Sequence, residues 1–164
     1  MKLIYTLLLS ISLNSCGIYS FTGASIPAEA KTVSVQYFNN KAATVQPILS
    51  QVFTERLKDM FLEQTNLTIN ENGGDLAFSG YISKYQIKPM AIKANETAGQ
   101  NRLTIAVKVI YKNSLDSENN FEQTFSRYHD YDSAENISDI ENTLIEEITN
   151  ELVEDVFNKA FVNW

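Results

Sequence analysis

The sequence predicts an α+β fold: two amphipathic helices packed on one face of a small mixed sheet of about four to five strands. Three observations predict it. Residues 47–64 and 138–164 carry apolar side chains at helical spacing, residues 103–112 alternate apolar and polar without a break, and the order strand, helix, strands, helix shows no repeat at the periods of solenoids or propellers.

The chain begins with an address. Lys2 precedes an apolar run over residues 3–13, which has the flanks and length of a secretory h-region. A permanent membrane helix needs about 20 apolar residues. Leu13-Asn14-Ser15-Cys16 follows, close to a bacterial lipobox, in which a small residue precedes a cysteine that is acylated and becomes the mature N-terminus. The alternative, an ordinary secretory signal with a bystander cysteine, leaves unexplained why the cysteine falls where a lipobox needs one. Residues 1–15 are thus expected to be a lipoprotein signal peptide, Cys16 the lipidation site, 16–30 a lipidated spacer and 31–164 a single α+β domain. The chain is then tethered, bacterial and extracytoplasmic. Cys16 is the sole cysteine, so no disulfide within the chain and no cysteine cluster for a metal can form.

In residues 32–38, Val33, Val35 and Tyr37 alternate with Ser34, Gln36 and Phe38, which predicts a strand ending at Asn39-Asn40. Pro47 suits a first helical turn. Behind it Ile48, Leu49, Val52, Phe53, Leu57, Met60 and Phe61 form the apolar face of a helix that stops near Gln64. A short strand over residues 67–70 and the turn Asn72-Gly73-Gly74-Asp75 complete a strand, helix, strand unit.

Leu76, Phe78, Gly80 and Ile82 share one parity, whereas Tyr81, Tyr85 and Ile87 share the other, so a continuous strand up to Pro89 requires a bulge near Ser83. A loop over residues 90–100 leads to the cleanest strand, 103–112, and the two read as an antiparallel hairpin. After a polar turn over residues 113–120, residues 121–128 add a third strand to the meander. The last helix is expected to start at Ser138, with Glu141 three residues on completing a capping-box pattern. Its apolar stripe includes Leu144, Ile148, Leu152, Val156, Phe161 and Trp164.

Charge is unevenly spread. The chain is −7 overall, yet residues 84–113 hold Lys84, Lys88, Lys93, Arg102, Lys108 and Lys112 against Glu96 alone, while residues 135–164 hold eight carboxylates against Lys159 alone. Fixed cations on a rigid sheet suit phosphate and carboxylate groups. Lys84, Lys88, Arg102, Lys108 and Lys112 are therefore the candidate ligand-binding residues. The bland alternative is a solvated face or a lysine-guarded edge strand.

Catalysis has little support. His129 is the only histidine, which excludes a multi-histidine metal site, and His129-Asp130-Tyr131-Asp132 reads as a solvated loop between the last strand and the last helix. Gly73-Gly74 lacks the lysine and helix of a phosphate loop. No cofactor and no metal are implied. Tyrosines near the basic strands would suit stacking on nucleic acid, but an export signal argues against such a partner.

Cys16-Gly17-Ile18-Tyr19-Ser20-Phe21-Thr22-Gly23, followed by Ser25-Ile26-Pro27 and Lys31-Thr32-Val33, resembles the start of the LptE-type lipopolysaccharide-assembly lipoproteins in the form found in Bacteroidetes. Pro47-Ile48-Leu49-Ser50, Phe53-Thr54-Glu55-Arg56-Leu57, Gln64-Thr65 and Gly74-Asp75-Leu76 extend the likeness over most of the mature chain. The resemblance implies a non-enzymatic outer-membrane lipoprotein that plugs and supports the LptD β-barrel and binds lipopolysaccharide, with two helices on a small mixed sheet and a lipid on Cys16. It aligns no individual ligand-binding residue. The competing expectation is an independent periplasmic lipoprotein that captures an anionic envelope ligand without a barrel; an enzyme is the third.

Overall fold

The computed structural model describes residues 26–90 and 99–162. The expected signal peptide, Cys16, most of the spacer and of the 90–100 loop, and Trp164 lie outside the described residues. The elements are β1 (Thr32–Val35), β2 (Asn39–Asn40), α1 (Pro47–Gln64), β3 (Thr68–Ile69), β4 (Leu76–Pro89), β5 (Gln100–Asn113), a 3₁₀ turn (Ser117–Asn119), β6 (Phe121–Asp132) and α2 (Ile137–Phe161). The α+β class holds, with six strands where four to five were expected. The sheet runs β3-β1-β4-β5-β6, with β2 also beside β4. β1 is parallel to β3 and β4, whereas β4, β5 and β6 form the antiparallel meander.

The extra strand comes from a break in the first one. The alternation in residues 32–38 suggested one strand, but the ladder with β4 stops at Val35 and resumes at Asn39, opposite Tyr81. Between them the amide of Phe38 donates to Thr54 Oγ1 of α1 at 3.1 Å, and that hydroxyl donates to the Ser50 carbonyl at 2.7 Å. Phe38 turns into the core with no exposed surface and meets Phe53 edge to face at 4.9 Å. Strand pairing gives way to anchoring of the helix.

β4 carries the irregularity that its parity switch required. The register with β5 shifts between Ile82 and Lys84, and Ser83 Oγ donates to the Ala106 carbonyl. The shift lets Leu76, Phe78 and Ile82 before it and Tyr85 after it all enter the core. Gly80, at φ +153°, sits where a Cβ would lie 1.9 Å from the Lys108 carbonyl oxygen and 2.8 Å from the Phe38 ring.

Both helices cover the same face of the sheet and run side by side in the same direction, with Arg56 Nε donating to Asn150 Oδ1 and Phe61 6.0 Å from both Phe157 and Phe161. Phe61, Phe78, Tyr111 and Phe161 form the centre of the core. Such ring pairs add about 0.5–1.5 kcal/mol beyond the area they bury. α2 starts two residues earlier than its sequence suggests: Asn136, not Ser138, is the N-cap, and its side chain accepts from the Ser138 amide. Asn is as good a cap as Ser.

Asp75 closes the β1–β4 junction. Its Oδ2 accepts from the amides of Lys31 and Thr32 and from Thr32 Oγ1, while its own amide donates to Thr32 Oγ1. These donors, the Lys31 amide first, hold the carboxyl below its ordinary value of 3.8. A carboxylate depressed in the folded state adds stability above the unfolded value and loses it as the pH falls through the folded one. Comparing Asp75→Ala with the parent by chemical denaturation, we expect the full difference at pH 7 and a narrowing gap once the pH drops below 3.8. The two positive-φ glycines should separate cleanly in the same assay. Gly73→Ala, with open space around its Cβ, should cost about 1 kcal/mol, whereas Gly80→Ala should cost about 3 kcal/mol or more, or prevent folding.

Candidate functional site

With both helices on one side, the described residues leave the other face of the meander open. The side chains on it follow from register. Odd-numbered residues of β5, from Leu103 to Tyr111, enter the core, so Arg102, Thr104, Lys108, Ile110 and Lys112 point the other way. Their partners on β4 are Lys88 opposite Arg102, Gln86 opposite Thr104, Lys84 opposite Ala106, Tyr81 opposite Lys108 and Ala77 opposite Lys112. All five candidate cations therefore share the open face.

They are not gathered into one pocket. Lys88 and Arg102 are direct cross-strand neighbours, whose Cβ atoms lie about 4.5–5.5 Å apart in such pairs. Lys112 is ten residues from Arg102 along β5, or about 33 Å at the rise of a strand. The cations form a stripe along the hairpin.

Two of the five are already partnered. Arg102 donates to both carboxylate oxygens of Asp130 on β6, at 2.7 and 2.8 Å, and its guanidinium lies 3.5 Å from the centroid of the Tyr128 ring. The hydrogen bond from Arg102 is the main reason that the Asp130 carboxyl titrates below its ordinary value. Lys108 pairs with Glu122, which raises the lysine pKa. Lys84, Lys88 and Lys112 are exposed, and among the described residues none has a carboxylate within 4.0 Å.

The face also holds a cation that the local charge pattern missed. Lys41 Nζ sits 4.5 Å from the centroid of the Tyr81 ring. Only the β2–β4 pairing brings residue 41 beside residue 81, and no local signal near Lys41 reports it.

The His129 segment corrects a sequence expectation. Residues 129–132 are not a loop; β6 runs through them and pairs up to Asp132 opposite Gln100. His129 points toward α2, with Nδ1 3.1 Å from Glu147 Oε2 and Nε2 2.9 Å from Glu151 Oε1. Arg127, two residues earlier on the same side, donates to both oxygens of Asp155 at 2.6 Å. The acidic tail thus meets Arg127 and His129 across the edge of the sheet, not the basic stripe on its far side. Among the described residues no group of three or more His, Cys, Asp or Glu side chains is arranged to hold a metal ion, and no helix is long and apolar enough to cross a membrane.

The described residues thus form a two-layer α+β domain that leaves one long face of the sheet uncovered, with a stripe of cations along it. The chain belongs to the LptE family, described as lipopolysaccharide-assembly, whose family model matches residues 30–160. No curated protein matches the sequence. Among solved structures, the chain is similar to a minor lipoprotein from Acinetobacter baumannii, at 12% identity and a TM-score of 0.53 over 79% of this chain and 91% of that one. It is likewise similar to a hypothetical protein from Chlamydia trachomatis, at 8% identity and a TM-score of 0.53 over 81% of this chain and 99% of that one. At these identities the likeness is one of fold.

Because the stripe lies outside the core, its charge is separable from folding. The triple variant Lys84→Glu, Lys88→Glu, Lys112→Glu should stay within about 0.5 kcal/mol per site of the parent in urea denaturation, since exposed substitutions away from caps, cores and networks do little.

Proposed function

We propose that this protein is a non-enzymatic, lipid-anchored assembly factor of the outer membrane that supports and plugs an LptD-type β-barrel during lipopolysaccharide transport. The open basic face of the meander is the observation that carries the reading. A plug needs a polar outer surface, because a barrel lumen is polar. It also needs a core complete without its partner, and here the core lies wholly between the helices and the inner face of the sheet. Family membership supports the role in lipopolysaccharide assembly.

In this reading residues 1–15 direct export and are removed, Cys16 carries the acyl chains, residues 16–30 give reach and residues 31–164 are the working domain on the periplasmic side. One acyl chain gives only marginal membrane binding, so stable tethering rests on more than one. Lys84, Lys88, Arg102, Lys108 and Lys112 face phosphates and acidic sugars of lipopolysaccharide or the polar wall of the lumen. Lys84, Lys88 and Lys112 take the larger share, because Arg102 and Lys108 are neutralised by Asp130 and Glu122. A stripe of separate cations suits an extended array of anionic groups better than a single phosphate.

The test is isolation of the acylated protein from outer membranes in mild detergent, with co-purifying proteins identified by mass spectrometry. A stoichiometric large β-barrel is expected with the parent chain and should be lost or sharply reduced with Cys16→Ala. The triple lysine-to-glutamate variant should keep its anchor but retain at least several-fold less lipopolysaccharide. A lone acylated monomer would instead favour an independent lipoprotein that captures an anionic ligand.

A further inference from the structure

At the opposite side of the core from the stripe's upper end, where β5 runs out, a cavity of about 330 Å³ opens between the segment before β1, the turn after β5 and the last turns of α2. Its size falls within the range of small-molecule sites, about 300–1,000 Å³. Two nearly buried side chains line it, Tyr111 at 2% exposure and Asn113 at 4%, both on the core-facing side of β5.

Each presents a polar group without a partner among the described residues. Asn113 Oδ1 accepts from the amides of Leu115 and Asp116, at 2.9 and 3.2 Å, which fixes the amide's orientation and turns Nδ2 away from those donors with no acceptor of its own. The Tyr111 ring is held by Phe78 at 4.7 Å, Phe121 at 5.3 Å and Phe161 at 6.1 Å, and its hydroxyl has no hydrogen-bond partner there. Burial, followed by the charge of Asp116, pushes the phenol up to about 12, so it stays a donor. Across the cavity stand the carboxylates of Glu29 and Asp116, with Pro27 and Leu115 as apolar walls. Asp116 already accepts from the Glu118 amide and Asn119 Nδ2, which leaves about two of a carboxylate's four acceptor sites open.

Among the described residues Thr149 Oγ1 is the only fully enclosed side-chain polar atom without a partner, so the Tyr111 hydroxyl and the Asn113 amide are reachable from the cavity, where water or a ligand meets them. The kind of ligand follows from the mixture. An anion would face two carboxylates. An ammonium only donates, so it meets the carboxylates and the phenol oxygen but leaves the amide N–H groups of Asn113 unanswered. A hydroxyl both donates and accepts, and a ring bearing several of them has apolar C–H faces for Pro27 and Leu115. We infer that this cavity is a binding site for a neutral saccharide unit, held by Tyr111 and Asn113 as donors and by Glu29 and Asp116 as acceptors. It is separate from the basic stripe, and its fate does not decide that of the barrel-plug reading.

The test uses the full acylated chain in a zwitterionic detergent, since glycosidic detergents would compete. Methyl glycosides of glucose, galactose and N-acetylglucosamine are titrated to tens of millimolar, with inorganic phosphate and 1,5-diaminopentane as charged comparators. Binding is read by saturation transfer to the ligand and by the side-chain amide resonances of Asn113. We expect a glycoside to bind and to move those resonances, with affinity about tenfold weaker in Tyr111→Phe, which keeps the ring packing, and several-fold weaker in exposed Glu29→Gln. Lys88→Glu should leave it unchanged. Silence from every glycoside, a response to the diamine alone, or glycoside binding indifferent to both variants would each overturn the inference.

Discussion

The structure depends on a missing side chain at residue 80. β4 pairs with β1 and β2 on one side and with β5 on the other, and at Gly80 the Lys108 carbonyl of β5 and the ring of Phe38 both close in. No residue with a Cβ fits between them. The consequences spread outward from that contact. Phe38 packs over Gly80, its amide donates to Thr54, and through Thr54 and Phe53 it anchors α1. The same contact fixes the β4–β5 register up to Ile82, with Tyr81 opposite Lys108, and the shift between Ile82 and Lys84 then puts Lys88 opposite Arg102. One steric constraint thus bears on the helix layer and, together with the shift after Ile82, on the pattern of the open face.

Much of this was legible because the physics behind it is local. The period of α1 and α2 and the alternation of β5 each report a single element lying on a single core. The parity switch after Ile82 announced a bulge, and the register shift between Ile82 and Lys84 is there. Local signals failed where a tertiary contact outweighed a pattern. Residues 32–38 alternate like one strand, yet the chain leaves the ladder after Val35 because Phe38 is worth more in the core than in a pleat. Residues 129–132 read as a loop because three of the four are polar. Only the distant carboxylates of α2 explain how His129 can face inward, and Tyr131, at 7% exposure, is the one residue whose burial continues the strand's parity. As for the candidate site, alternation sufficed to put the five cations on one face, but which of them are neutralised depends on β6, and Lys41 depends on β2.

The separation of charge has a structural logic. Edge strands invite pairing with other chains, and inward-pointing charges are one way in which proteins blunt them. β6 is twelve residues long, lies at the edge of the sheet and pairs with β5 without a register shift. Arg127 and His129 on its inner side are answered by Asp155, Glu147 and Glu151 of α2. Exposed pairs of this kind are individually worth about 0.2–1 kcal/mol, so their larger effect is geometric: they hold the charged helix against the sheet edge. The acidic surplus of α2 is thus partly a structural counterpart to β6, and the cations of β4 and β5 are left to face away from it.

That arrangement leaves the open face unusually free to change. Its residues contribute little to the core, whose apolar members come from the inner face of the sheet and from the two helices. Substitution there leaves the packing of the core in place. The end cavity is the reverse case: Tyr111 belongs at once to the aromatic core and to the cavity wall, so its ring is constrained by packing with Phe78, Phe121 and Phe161 while its hydroxyl is not. A phenylalanine would keep the ring packing and remove only the hydroxyl at the cavity wall. The hydroxyl thus adds nothing to the packing of the ring, and what it contributes lies at the cavity wall.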